Sequence, residues 1–174
     1  MRIVSVRATV ADMEQLVQFD GAQAVALAQI AIAMLLGGII GFERERAHKP
    51  AGLRTHMLVA GSAALLVILG DTVIARYDKP EFLPGIRADP LRILGAIITG
   101  VSFLGAGTIM RRTEKHDVEG LTTAASLLMV AGIGAAIPLL QTLTAIGVTA
   151  IVFLTLRALT RIEPRARRSP NGRA

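Results

Sequence analysis

Five apolar stretches divide the chain, and each ends in a cluster of charge or in proline and glycine. The first runs from about Ala22 to Phe42 and stops at Glu43-Arg44-Glu45-Arg46. The second opens at Leu53, after Lys49-Pro50-Ala51-Gly52, and continues to about Ala75, interrupted late by Asp71. Asp89-Pro90 reads as the N-cap and first-turn proline of a third helix that extends to Met110. The segment RRTEKHDVE, residues 111–119, separates it from a fourth run over 120–137, and Pro138 turns the chain into a fifth over 139–156. A spanning helix needs roughly 20 mostly apolar residues, so each run predicts one span. The pattern predicts an all-α membrane protein of about five transmembrane helices: two parallel helical hairpins and a fifth helix. Residues 1–21 precede this transmembrane domain of residues 22–156, and residues 157–174 form a basic tail.

Charge sets the orientation. Lys and Arg concentrate in short cytoplasmic flanks of membrane proteins. With the N-terminus outside, the inner segments are 43–56, 111–119 and the tail from Arg157, which together hold 13 of the 19 basic residues. The expected topology is therefore N-out and C-in, with the first 21 residues in the periplasm. Asp12, Glu14 and Asp20 make a poor basic flank for a signal peptide, and no small-residue cleavage site precedes the charge cluster. Composition agrees with a membrane class: the 174 residues are 52% hydrophobic and 18% charged, with a mean hydropathy of +0.55. The net charge of +6 would suggest nucleic acid in a soluble domain. Here the basic residues flank apolar runs without aromatic platforms, so no nucleic-acid partner is expected. The absence of Trp and the single Tyr leave interfacial anchoring to snorkelling arginines. There is no cysteine, hence no disulfide framework and no thiolate chemistry.

The chain also resembles itself at an offset of 68. Residues 36–55 and 104–123 share seven identities in twenty positions, among them Gly37/Gly105, Arg44/Arg112, Gly52/Gly120 and Thr55/Thr123. Two similarly oriented hairpins are one reading, as in transporters built from parallel repeats. Orientation and repeat together place Glu43, Arg44, Glu45, Gly52, Arg54 and Thr55 on the same cytoplasmic face as Arg112, Gly120, Thr122 and Thr123. Asp71, Asp89 and Arg92 fall near the opposite face.

At this point the residues become recognisable. The segments GGIIGFERERAHKPAGLRTHMLVAGSAAL, DPLRILGAIITGVSFLGAGTIM and EGLTTAASL resemble the MgtC/SapB family of bacterial inner-membrane proteins, over about residues 24–156. The chain departs from the family pattern at Ser102, where glycine is common, and at Leu128, where tryptophan is common. Longer members carry a soluble domain after the membrane part, where this chain has a short basic tail. The resemblance implies location in the bacterial inner membrane and a role in adaptation to magnesium limitation, acid or life inside a host. It also implies control of another membrane complex, the ATP synthase among the partners, and it brings the label of magnesium transporter.

Each candidate residue carries a plain reading beside a sharper one. Glu43 to Arg46 and Glu45 to Lys49 have helical pair spacing, worth roughly 0.2–0.5 kcal/mol each. Glu43 and Glu45 are the candidates for a magnesium site, but positions i and i+2 do not share a helix face and four nearby cations oppose a divalent ion. No resident cofactor is expected. Arg54 near the start of the second helix needs a partner, and Glu43 or Glu45 is the natural one. An anion site of Arg44, Arg54, Arg112 and two helix N-termini is the sharper alternative. Asp71 pairs with Arg92 in the plain reading and lines an ion path in the other. Gly37, Gly41, Gly100, Gly105 and Gly107 read as close-packing positions, within the chain or in a homo-oligomer. Thr122, Thr123 and Ser126 have the chemistry to bond backbone carbonyls or to bond across helices. His48, His56 and His116 have no ligand spacing and read as loop residues. No nucleotide-binding, zinc-hydrolase or serine-hydrolase motif is present. Two functions remain: a regulatory membrane protein with a cytoplasmic contact face, and an ion transporter with a path between the hairpins.

Overall fold

The computed structural model describes residues 21–77, 89–112 and 117–162. These form five helices and one small hairpin: α1 Gly21–Arg46, α2 Leu53–Tyr77, α3 Leu91–Gly107, β1 Met110–Arg112, β2 Asp117–Glu119, α4 Leu121–Ala136 and α5 Thr142–Ile162. Helices α1 and α2 are each long and apolar enough to cross a membrane, and α3, α4 and α5 contain shorter apolar stretches. Residues 1–20, 78–88 and 163–174, which include most of the expected periplasmic segment and of the basic tail, lie outside the described residues.

Helix ends follow local chemistry. α1 does not stop at Phe42 but carries Glu43 to Arg46 in its last turn. It closes through His48 in the left-handed region (φ 52°), with the Lys49 N–H on the Arg44 carbonyl at 3.0 Å. At the start of α2 the Leu53 N–H is taken by the Glu45 carboxylate at 2.8 Å, so a side chain from the preceding helix serves as its cap. α3 starts at Leu91 with Pro90 in the N-cap place, one residue later than the sequence pattern, and the Asp89 carboxylate accepts the Leu91 N–H at 3.0 Å.

Two further boundaries differ from the sequence pattern. α3 ends at Gly107 rather than Met110: the Thr108 N–H and hydroxyl both donate to the Gly105 carbonyl, at 2.9 and 2.7 Å, and close the helix. The chain then forms β1, paired antiparallel to β2 with Met110 opposite Glu119. Gly120 has φ 97°, and its α-carbon packs against the Thr108 carbonyl, so both conformation and space call for glycine. The turn at Pro138 extends through Leu140 (φ 60°), which delays α5 to Thr142.

The packing places small residues inside and large ones outside. The core alternates Ala33, Ala60, Ala63, Ala64, Ala131 and Ala135 with Ile40, Val67, Leu127 and Val130. Phe103, Leu140 and Leu143 are more than 80% exposed, and Leu35, Leu58, Ile98, Ile151 and Leu154 are exposed too. A soluble domain rarely exposes contiguous apolar surface on this scale. Helices in lipid associate by close backbone approach, for which small residues at the contacts are suited. Gly37 lies where a Cβ would come within 2.7 Å of the His56 carbonyl, and Gly134 packs directly on the Ala60 backbone. α2 is thereby held between α1 and α4.

Candidate functional site

Of the buried polar residues described, Arg44, His56, Thr123 and Ser126 gather at one end, where α1 finishes and α2 and α4 begin, while Thr149 bonds the Ala145 carbonyl within α5. Arg44 is 2% exposed, although it stands in the last turn of α1. Its Nε donates to the carboxylate of its sequence neighbour Glu43 at 2.5 Å. His56, on the first turn of α2, is completely buried. Gly41 makes room for it, since a Cβ there would stand 2.8 Å from the His56 Cβ. His56 Nδ1 donates to the Gly52 carbonyl at 2.9 Å, and Nε2 lies 3.0 Å from the Ser126 hydroxyl on α4. The neutral ring accepts at Nε2, so Ser126 divides one proton between His56 and the Thr123 carbonyl at 2.8 Å. Arg44 Nη2 and Thr123 Oγ1 are buried without a hydrogen-bond partner among the described residues.

This arrangement joins three helices through hydrogen bonds, Glu45 to the Leu53 N–H and His56 to Ser126, with the Glu43–Arg44 pair lying within α1. α1 supplies the ion pair and the cap, α2 supplies the histidine, and α4 supplies the serine and threonine. A buried pair such as Glu43–Arg44 gives little net stability but is costly to break, because one charge is left alone. The His56–Ser126 bond is the specific link between the first hairpin and the second.

The structure redistributes the expected partners. Glu43 is taken by Arg44 and Glu45 by the Leu53 N–H, in place of the pairs to Arg46 and Lys49. Arg54 is exposed and forms no ion pair with either glutamate among the described residues. The two carboxylates serve separate partners and do not converge as magnesium ligands. No group of three His, Asp or Glu side chains does so among the described residues. His56 is a buried helical residue and not a loop histidine. Ser126 does bond across helices, as its position allowed. Thr55 and Thr122 are exposed, whereas Thr123 is buried.

The repeat partners differ in environment: Arg44 is helical while Arg112 lies in β1, and Thr55 is exposed while Thr123 is buried. At the other end Asp71 and Arg92 are both exposed and do not pair with each other. Of the glycines, Gly37 and Gly41 hold the α1–α2 contact and a Cβ at Gly105 would come within 3.2 Å of Ala124, but Gly100 and Gly107 face open space. Gly134, which carries the α2–α4 contact, is not among the glycines the sequence pattern singled out. His56 had one available signal: it lies four residues before Ala60, on the small-residue face of α2.

Comparison with known proteins follows the same segments. A family model described as the MgtC family matches residues 30–165. Protein SapB of Bacillus subtilis is 42% identical over 110 residues, covering 63% of this chain and 46% of its own length. Protein MgtC of Salmonella typhimurium is 42% identical over 120 residues, 69% of this chain and 46% of its own. Protein MgtC of Brucella abortus is 42% identical over 105 residues, 60% and 39% respectively. The chain thus spans about half the length of these relatives or less. No solved structure matches it. The matched stretch takes in the whole Glu43–Arg44–His56–Ser126 cluster and all five helices from Ile30 onward, and the chain is a membrane protein that belongs to the MgtC family.

Proposed function

We propose that the chain is a five-span inner-membrane protein, N-out and C-in, that regulates another membrane complex through its cytoplasmic face. Adaptation to magnesium limitation, acid or stress is the setting the family resemblance suggests, with ATP synthase as a candidate partner. The observation that supports this reading is the use made of the buried polar residues. Glu45, His56 and Ser126 are spent on holding helices together, Glu43 and Arg44 are spent on each other within α1, and Gly134 brings α4 onto the α2 backbone. What that end offers outward is charge: Arg46, Lys49 and Arg54 are exposed around a rigid core.

Ion transport is the second reading, and one feature favours it. Cavities of about 480 and 470 Å³ follow the α2–α3 seam, from Asp89 and Arg92 at one end to Thr55 at the other. Their walls are Leu66, Leu69, Val73, Ile93, Ile97 and similar residues. Such walls cannot replace a hydration shell.

Reconstitution separates the two. Purified protein in proteoliposomes is expected to leave Mg²⁺, K⁺ and H⁺ gradients intact, while Arg54→Glu abolishes co-purification of the partner complex from membranes. Flux from the pure protein that is lost on Asp71→Asn would replace the regulatory reading with the transport one. Arg54 is the cleaner charge to reverse, because Glu43 is needed to hold Arg44.

A further inference from the structure

A separate cavity of about 470 Å³ opens between the C-terminal turn of α1 and the last part of α5, and it is built unlike the seam cavities. It is lined by Phe42 and Arg46 from α1, Lys49 from the turn that follows, and Phe153 and Arg157 from α5. The Arg46 guanidinium carbon sits 5.4 Å from the Phe42 ring centre, and that of Arg157 sits 5.9 Å from Phe153. Each guanidinium thereby sits over an aromatic face, a cation–π arrangement. Glu43 also lines the space, but its carboxylate is engaged by buried Arg44. No carboxylate among the described residues pairs with Arg46 or Lys49. Arg46 and Lys49 therefore bring positive charge to the cavity that no described carboxylate pairs with.

Its apolar side continues along the helices. Ile39 and Leu35 lie three and seven residues before Phe42, on the same face of α1, and both are exposed. Ile146 lies seven residues before Phe153 on α5 and is exposed as well. A ligand seated here meets cations at its head and an apolar track below, the two chemistries of one molecule.

We propose that this cavity binds the phosphate of an anionic phospholipid, with the acyl chain lying along the α1–α5 seam. Arg46 and Lys49 hold the phosphate, and Phe42 and Phe153 receive the glycerol and upper chain. Glu43 forms the cavity wall and also grips Arg44, so the lipid borders directly on the group that orders the buried core. The site lies at the α1 C-terminus in either membrane orientation.

Native mass spectrometry of the detergent-purified full chain tests this. Phosphatidylglycerol is titrated against phosphatidylcholine with the same acyl chains. Phosphatidylglycerol is expected to be retained selectively, and R46Q/K49Q to weaken its binding by about tenfold. R92Q, which removes a cation at the other end of the molecule, and neutralisation of Arg165, Arg167 and Arg168 in the tail are expected to leave binding unchanged. Phe153→Ala is expected to weaken lipid binding without removing a charge. Equal retention of the two lipids overturns the proposal. So does an equal loss with R92Q or the tail variant, which would mark general charge attraction. Displacement of the lipid by millimolar inorganic phosphate would assign the cations to a free anion instead. The melting temperature of R46Q/K49Q is expected to match the parent chain, since both side chains are exposed.

Discussion

Truncating Arg44 leaves Glu43 as the lone member of a nearly buried ion pair and opens space beneath the α1 terminus. Arg44→Ala is expected to cost about 3–5 kcal/mol, the usual penalty for breaking a buried pair from one side. Thermal unfolding in detergent measures it, and a change within error would mean that the pair is not formed in solution. The polar neighbours separate into two kinds. Ser126→Ala strips a partner from buried His56 and is expected to cost about 1–3 kcal/mol. Thr123→Val removes a hydroxyl that bonds nothing among the described residues and replaces it with a methyl of similar shape. It is expected to be neutral or slightly stabilising. A loss from Thr123→Val as large as that from Ser126→Ala would show that the hydroxyl has a partner after all. At this scale sequence reading was weakest. Glu43, Arg44 and Glu45 were legible as a cluster, but not that Arg44 turns inward while Arg46 turns outward. That difference depends on which side of α1 meets α2.

The elements were easier to read than their contacts. Apolar length and the charge clusters located all five helices, because a helix in lipid must satisfy its backbone within itself and exclude charge over most of its length. Their ends were less legible where tertiary contact decides them, as at Gly107 and Thr142. Glycine spacing was an uneven guide. Gly37 and Gly41 do carry the α1–α2 contact, whereas Gly100 faces open space and Gly134 carries the α2–α4 contact. Gly134→Val should force α4 away from Ala60 and sharply lower the melting temperature. Gly132→Val, with nothing within 4 Å of the new side chain, should shift it little. Equal effects at the two positions would mean that helix propensity, and not contact, sets the cost. The internal repeat is a likeness of segments more than of environments, since Arg44 and Arg112 occupy different secondary structure.

For the whole molecule the central expectation is topology. The chain has no cysteine, so single-cysteine labelling needs no background removed. Lys49→Cys is expected to resist a membrane-impermeant maleimide in intact cells and to react once the inner side is opened. Leu140→Cys, in the exposed turn between α4 and α5, is expected to react in intact cells. The reverse pattern would invert the molecule and move the proposed partner face to the other side. The sequence by itself determined the class, the five helices among the described residues and the family, because these follow from apolar length, charge placement and ordered motifs. Only the tertiary structure decided that Arg44 and His56 are interior groups, that Glu45 caps a helix, and that Arg46, Lys49 and two phenylalanines share a cavity. Those facts depend on how the helices are rotated about their axes. Rotation is set by small contacts such as Gly134 on Ala60, distant in sequence and almost silent in hydropathy.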